Sequence, residues 1–322
     1  MLVEVAYDWI ISMQGRLHFN VRCSPGVVKG TNMMLTEKQQ DKIKHLGFGS
    51  ILGMTLNGFA ARNLVAWIMD HTDPKTFIFF AGAGKELKLT RDVVRLVLGL
   101  PDNGVTPASL SQQEASEWGS VFKTRLGVGP KGSISIPFLQ DYIKRGGVDD
   151  LTIQCYFVIV FHVLLMPQAA GDITNNDIVH AQWAVDGAGI DWTQLVFNDL
   201  IFSIKTWHQP AKRGCVSPTI HGCAAVLLVS VDFLARLLYL IEHPTHNIYL
   251  SLCFVQIYYL DHLVHARSPP EKFVTPRICV WNRDLIEVIS KDDQTGKGLS
   301  FGRLNVSNAP MCLFAFVRPV YM

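Results

Sequence analysis

Four residues in the stretch 208–223 have side chains that bind zinc: His208, Cys215, His221 and Cys223. A structural zinc ion takes four such donors in a tetrahedron. Their spacing fits neither a C-x2-C pair nor an H-x3-5-H pair, so the segment reads as a loop with scattered thiols and imidazoles. His243 with His246, and His262 with His265, stand three residues apart, which on a helix puts both rings on one face. No third ligand can be placed from the spacing and no H-E-x-x-H occurs, so these histidines read as helix-end residues that complement the dipole. Gly82-Ala83-Gly84-Lys85 invites comparison with a phosphate-binding loop. Glu86 stands where that loop needs a magnesium-binding hydroxyl, and the segment reads as a hairpin turn. Cys279 and Cys312 lie in apolar contexts, where thiols are inert, and no Cys–His–carboxylate set accompanies them. These residues predict a protein without a metal or an organic cofactor, and not an enzyme.

The densest positive cluster is Lys205, His208, Lys212 and Arg213, with Trp207 among them. Basic side chains beside an aromatic can hold a phosphate backbone and stack a base. With residues 206–222 read as a loop, Lys205, Trp207, Lys212 and Arg213 become the candidate nucleic-acid contact, against the plainer reading of a solvated interhelical loop. Overall charge argues little either way, at +2 with a pI near 8.1. Hydrophobic residues are 49% of the 322 and charged residues 17%, the balance of a core-rich globular chain. The seven cysteines are odd in number and scattered, which fits reduced thiols inside a cell. Glu4, Asp8 and Arg16 interrupt the apolar start, so it does not read as a signal peptide. Residues 151–166 and 224–241 are apolar runs, but Gln154, His162, Asp232 and Arg236 within them argue for core helices rather than membrane spans.

The elements that must position these residues are mostly helices. Ser24-Pro25 opens one, and Thr36-Glu37-Lys38-Gln39 is a capping box for another that ends at Leu46-Gly47. Between Leu64 and Gly104 the pattern runs helix, turn, hairpin, capped helix and stop. Leu64, Val65, Trp67 and Ile68 give the first helix an apolar face, and Asp73-Pro74 ends it. Phe77–Phe80 is β-branched and aromatic, as suits a strand, Glu86–Leu89 alternates polar and apolar like a return strand, Thr90 caps the next helix, and Gly99-Leu100-Pro101 closes it. Further helices are expected around 114–122, over 138–144 and 151–166, after Thr174 or Asn175, from Asp191-Trp192, and over 224–241 and 248–261. The fold class is therefore mainly α, a compact multi-helix domain with one small β-hairpin near residues 76–89. Trp67, Leu96, Phe157, Phe161, Trp192, Val196, Leu234 and Tyr258 are expected in its core.

The segment 64–104 carries the order "L..W....DP.T..F......L.LT..DV..VLGLP..G". It resembles the plant mobile domain, long labelled aminotransferase-like, and more closely the grass proteins in which such a region stands alone or precedes a SUMO-type cysteine protease. Gly47-Phe48-Gly49, the block Ile190–His208, Tyr258-Tyr259-Leu260-Asp261 and Pro276–Trp281 extend the likeness over about residues 22–285. This sets the expected organisation: a divergent extension 1–21, the helical domain 22–289, and a divergent tail 290–322. No lysine sits in the phosphate-cup context that pyridoxal phosphate enzymes need, so the old label carries no chemistry. The resemblance implies a non-enzymatic, transposon-derived module in the nucleus, with the cytoplasm as the alternative. It would have unidentified nuclear protein partners and a link to gene silencing or genome maintenance. The alternative is the non-catalytic N-terminal region of a SUMO-specific cysteine protease. The Asp-Cys-Gly nucleophile signature of that enzyme does not occur in the chain.

Overall fold

The computed structural model describes residues 20–58, 62–80, 86–108, 110–129, 132–168, 172–209, 219–220, 265–267, 276–295, 300–301 and 303–304. Helix dominates, as the periodicity predicts. The first helices are α1 (Pro25–Asn32), α2 (Glu37–His45), α3 (Gly49–Leu52) and α4 (Arg62–Asp70). The strands β1 (Ile78–Phe80) and β2 (Glu86–Lys88) come next, then α5 (Arg91–Leu98), α6 (Gln112–Arg125), α7 (Ile136–Ile143), α8 (Asp150–Val160), α9 (Asn175–Val185) and α10 (Trp192–Trp207). A last helix, α11 (Arg283–Asp293), leads into the short antiparallel pair β3 (Gln294–Thr295) and β4 (Ser300–Phe301). One further pair joins Asn20–Val21 to Thr219–Ile220 in parallel.

Local chemistry explains where these helices begin. Thr36 and Gln39 form the expected capping box, and Ser111 with Glu114 and Thr174 with Asp177 form two more. The Ser111 box starts a helix longer than the one expected around 114–122. Asp149 and Asp191 cap α8 and α10 by accepting from Thr152 N and Gln194 N.

Helix α8 is the centre of the fold. Every residue from Leu151 to Val160 is buried, with α7 and α9 packed against it. Phe48, Phe157, Phe161 and Trp192 meet around it, with Phe48 and Phe157 centroids 4.7 Å apart and edge to face. Its last turn, Phe161–Leu165, is a π-helix. Among the described residues no helix is long and apolar enough to cross a membrane.

The hairpin is where the sequence places it, with Ile78 opposite Lys88, Phe79 opposite Leu87 and Phe80 opposite Glu86. Residues 81–85 lie outside the described residues. The stop after α5 is a joint as well as an end. Gly99 takes φ +60°, and a Cβ there would stand 2.5 Å from Pro276 Cγ. Arg91 Nε donates to Asp191 Oδ2 at 2.8 Å, its Nη2 donates to Asp102 O at 2.7 Å, and Trp192 N donates to Pro101 O at 3.1 Å. The start of α5, the Pro101 loop and the start of α10 are thereby held together.

One expected core residue is corrected. Leu96 is 37% exposed, while Val93, Val94, Val97 and Leu98 are buried. On a helix advancing about 100° per residue, Leu96 stands roughly 200° from both Val94 and Leu98, so the buried stripe passes it by. The boundary drawn at 289/290 falls inside α11. Trp67, Phe157, Phe161, Trp192 and Val196 lie in the core as expected, and Leu234 and Tyr258 lie outside the described residues.

Candidate functional site

Helix α10 buries Trp192, Val196, Leu200, Ser203, Ile204 and Trp207, an i, i+3/i+4 stripe that continues through Trp207. Residue 207 is therefore helical and not the start of a loop. Its side chain is 6% exposed, and indole Nε1 donates to Asp70 Oδ1 at 2.9 Å. His208 caps the helix, and its Nε2 donates to Met69 O at 2.8 Å. Both bonds tie the end of α10 to the end of α4. The expectation that Trp207 offers a ring to a base is corrected: its face is spent on the core, and the end of α10 is pinned by it. Lys205 lies within α10 and is exposed. Lys212 and Arg213 lie outside the described residues.

The opposite face of α10 is different. Phe202 and Lys205 are one turn apart, on the side away from Trp207. Phe202 is 62% exposed. Lys205 Nζ stands 5.3 Å above the ring centre of Phe77. Phe77 is fixed by an unusual turn. Asp73 Oδ1 accepts from Lys75 N, Thr76 N and Thr76 Oγ1, and these bonds hold its carboxyl below the usual range, the Thr76 backbone bond most of all. Phe77 N donates to Asp73 O at 2.8 Å, and Phe77 itself takes φ +58°, a left-handed conformation uncommon for an aromatic residue. After it the strand alternates. Phe79 packs edge to face on Trp67 at 5.3 Å, while Phe80 is 40% exposed on the other side. Lys88, paired with Ile78 across the hairpin, is exposed too. Phe80 and Lys88 on the hairpin and Phe202 and Lys205 on α10 are thus exposed, and the Lys205–Phe77 contact joins the two elements. Sequence reasoning found only Lys205. The i−3 spacing of Phe202 and the pleat of the hairpin were the signals for the others.

A second polar feature is buried. The π-turn at the end of α8 carries His162, whose Nδ1 lies 3.0 Å from Asp177 Oδ2. The same oxygen accepts from Thr174 N at 2.7 Å and Thr174 Oγ1 at 2.9 Å, so His162 Nδ1 is the donor. One turn on, His180 is packed among Phe161, Trp183 and Trp192, and burial lowers its pKa to about 4. Asp199 on α10 accepts from Gln168 Nε2 at 3.4 Å, and burial raises its pKa to about 7. Asp199 Oδ2 is out of solvent and has no hydrogen-bond partner among the described residues. Sequence reasoning met His162 only as a polar break in an apolar run.

The other candidates have structural occupations or lie outside the described residues. Cys215, His221, Cys223, His243, His246, His262 and Cys312 are among the latter. His265 Nε2 is 2.8 Å from Asp292 Oδ2. The Cys279 thiol lies 3.5 Å from Ser50 O, and burial pushes its pKa up; burial pushes Cys155 up to about 12. Among the described residues no group of three or more His, Cys, Asp or Glu is placed to hold a metal ion.

Residues 21–228 match the model of a protein family described as "Domain of unknown function (DUF8566)". That span is more than half of the chain. The chain belongs to the DUF8566 family. The matched span contains both the hairpin–α10 contact and the buried His162–Asp177 joint, so both lie within the DUF8566 domain. Searches of curated proteins and of solved structures found no match to the chain.

Proposed function

We propose that this chain is a non-enzymatic interaction module of transposon origin that works in the nucleus, with a role in gene silencing or genome maintenance. The observation that carries the reading is how the polar groups are used. His162 and Asp177 cap and brace α9, Arg91 and Asp191 clip α5 to α10, and Trp207 and His208 pin α10 to α4. The chemistry-bearing side chains hold elements together, while exposed aromatic and basic side chains stand on those elements facing outward. A rigid body with adaptable outward contacts suits recognition of a partner. The nuclear assignment rests on the likeness of residues 64–104 to the plant mobile domain.

The test is to image the tagged full-length protein and to purify it with its partners from nuclei. A nuclear signal with stoichiometric co-purifying partners is expected. A strictly cytosolic or organellar signal overturns the nuclear reading, and turnover of a substrate by the purified chain overturns the non-enzymatic one.

A further inference from the structure

We propose that two copies of this chain pair through α6, antiparallel about a two-fold axis, with Trp118 of each copy against Val121 of the other and Glu114 against Arg125. The pairing goes beyond the nuclear reading and does not depend on it. Helix α6 buries Ala115, Gly119 and Phe122 and turns its other side outward. On that side Trp118 is 40% and Val121 52% exposed, and Glu114 and Arg125 are exposed with them. Among the described residues no other helix leaves two large apolar side chains exposed; α5 and α10 leave one each, Leu96 and Phe202.

The order of residues along this stripe selects the occupant. Glu114, Trp118, Val121 and Arg125 follow one another at steps of four, three and four residues. At about 100° per residue all four fall within an arc of about 60°, which makes a straight seam for a second helix. A helix lying on it needs a basic residue over Glu114, an acidic one over Arg125 and apolar side chains between. Helix α6 run in the opposite direction has that order. A parallel copy would set Glu114 on Glu114 and Arg125 on Arg125, like charge on like. The Glu114–Arg125 and Trp118–Val121 pairs also share one midpoint, between Gly119 and Ser120, where a two-fold axis has to cross. Both charged ends are held before a partner arrives. Glu114 Oε2 accepts from Ser111 N at 2.8 Å and Ser111 Oγ at 2.7 Å, and Arg125 Nη1 donates to Gln154 Oε1 at 3.3 Å. The Ser120 and Thr124 hydroxyls beside the stripe donate to Ser116 O and Ser120 O at 2.9 Å, so they ask nothing of a neighbour.

The test is sedimentation equilibrium of the full-length protein under reducing conditions, at low and high salt. Helix α6 has 14 residues and is about 21 Å long, so one such helix pair buries less than the about 1,600 Å² of a standard interface. A weak, micromolar dimer is expected, weaker still at high salt, which screens the Glu–Arg pairs. Val121→Asp puts a carboxylate in the seam, and Arg125→Glu sets acid against Glu114 at both ends. Each is expected to weaken association at least about tenfold. The double variant Glu114→Arg/Arg125→Glu restores opposite charges and should bring association back. It also gives up the Glu114 bonds to Ser111, so Val121→Asp and Arg125→Glu, which keep them, carry the test if it melts early. Phe202→Ala, an exposed aromatic on α10, should change nothing.

A monomer at every concentration up to about 200 µM, well above the range of small specific interfaces, overturns the proposal. A dimer that Val121→Asp leaves intact, or that Phe202→Ala abolishes, overturns it too, because the contact then lies elsewhere. Loss with Val121→Asp but not with Arg125→Glu overturns the antiparallel register.

Discussion

Asp199 and His180 are half-buried titratable side chains that favour their neutral forms for the same reason, desolvation, and with opposite consequences for stability. The Asp199 pKa is raised from 3.8 to about 7, so the folded state keeps a proton that the unfolded chain gives up. Its contribution is complete below about pH 3.8 and is lost as the pH rises to about 7. The His180 pKa falls from 6.5 to about 4, so the folded state refuses a proton that the unfolded chain accepts. Its contribution is complete above about pH 6.5 and is lost as the pH falls to about 4. Between those limits the two proton counts cancel, and the pair contributes almost no slope. His180→Phe, which keeps a ring among Phe161, Trp183 and Trp192, should uncover the Asp199 slope. Stability would then fall with rising pH by up to ~1.4 kcal/mol per unit between pH 4 and 7. Asp199→Asn should uncover the reverse trend. Urea midpoints at pH 5 and pH 6.5 measure both, and variants that stay parallel to the wild type would show that neither group is held neutral.

At the scale of elements, the joint after α5 makes the most exacting demand on a single residue. Gly99→Ala has to place a methyl at φ +60° and against the Pro276 ring. The conformation alone costs about 1–3 kcal/mol, and chemical denaturation with unchanged m-value should show a loss of at least that size. This glycine, like the capping box at Thr36 and the cap placed at Thr174 or Asn175, was legible because its cause is local: a turn type or a cap needs particular residues at particular spacings. Leu96 and Trp207 were misplaced for the complementary reason. Which flank of an apolar helix is buried depends on what packs against it, and the sequence of α5 does not contain α10. For Trp207 the information was present, since Trp192, Val196, Leu200, Ile204 and Trp207 form one stripe. Reading residues 206–222 as a loop drew the helix end two residues too early. The His162–Asp177 contact was illegible, because it needs a π-turn and a capping residue from separate helices to meet.

At the scale of the whole molecule, the question is where the folded body stops. A change of composition near residue 290 suggests a boundary, but the backbone crosses it within α11, and the β3–β4 pair beyond that helix returns to the core. Ser290 and Asp293 are buried. Asp293 accepts from Arg303 N through its backbone at 3.0 Å and from Leu304 N through Oδ1 at 2.9 Å. Phe301 is 7% exposed and lies 5.8 Å from Trp67, the tryptophan that also receives Phe79. The short β3–β4 pair thus completes the wall behind the hairpin. A chain ending at residue 289 would leave Trp67 uncovered and cut the last turn from α11, whereas a chain ending at residue 304 keeps both. Losing a buried phenylalanine alone costs about 3–5 kcal/mol, a large part of the stability of an ordinary domain. The shorter chain should therefore unfold at markedly lower urea than the longer one, and its Trp67 should be more readily quenched by iodide. Equal midpoints for the two chains would return the boundary to residue 289 and make the β3–β4 pair a surface appendage.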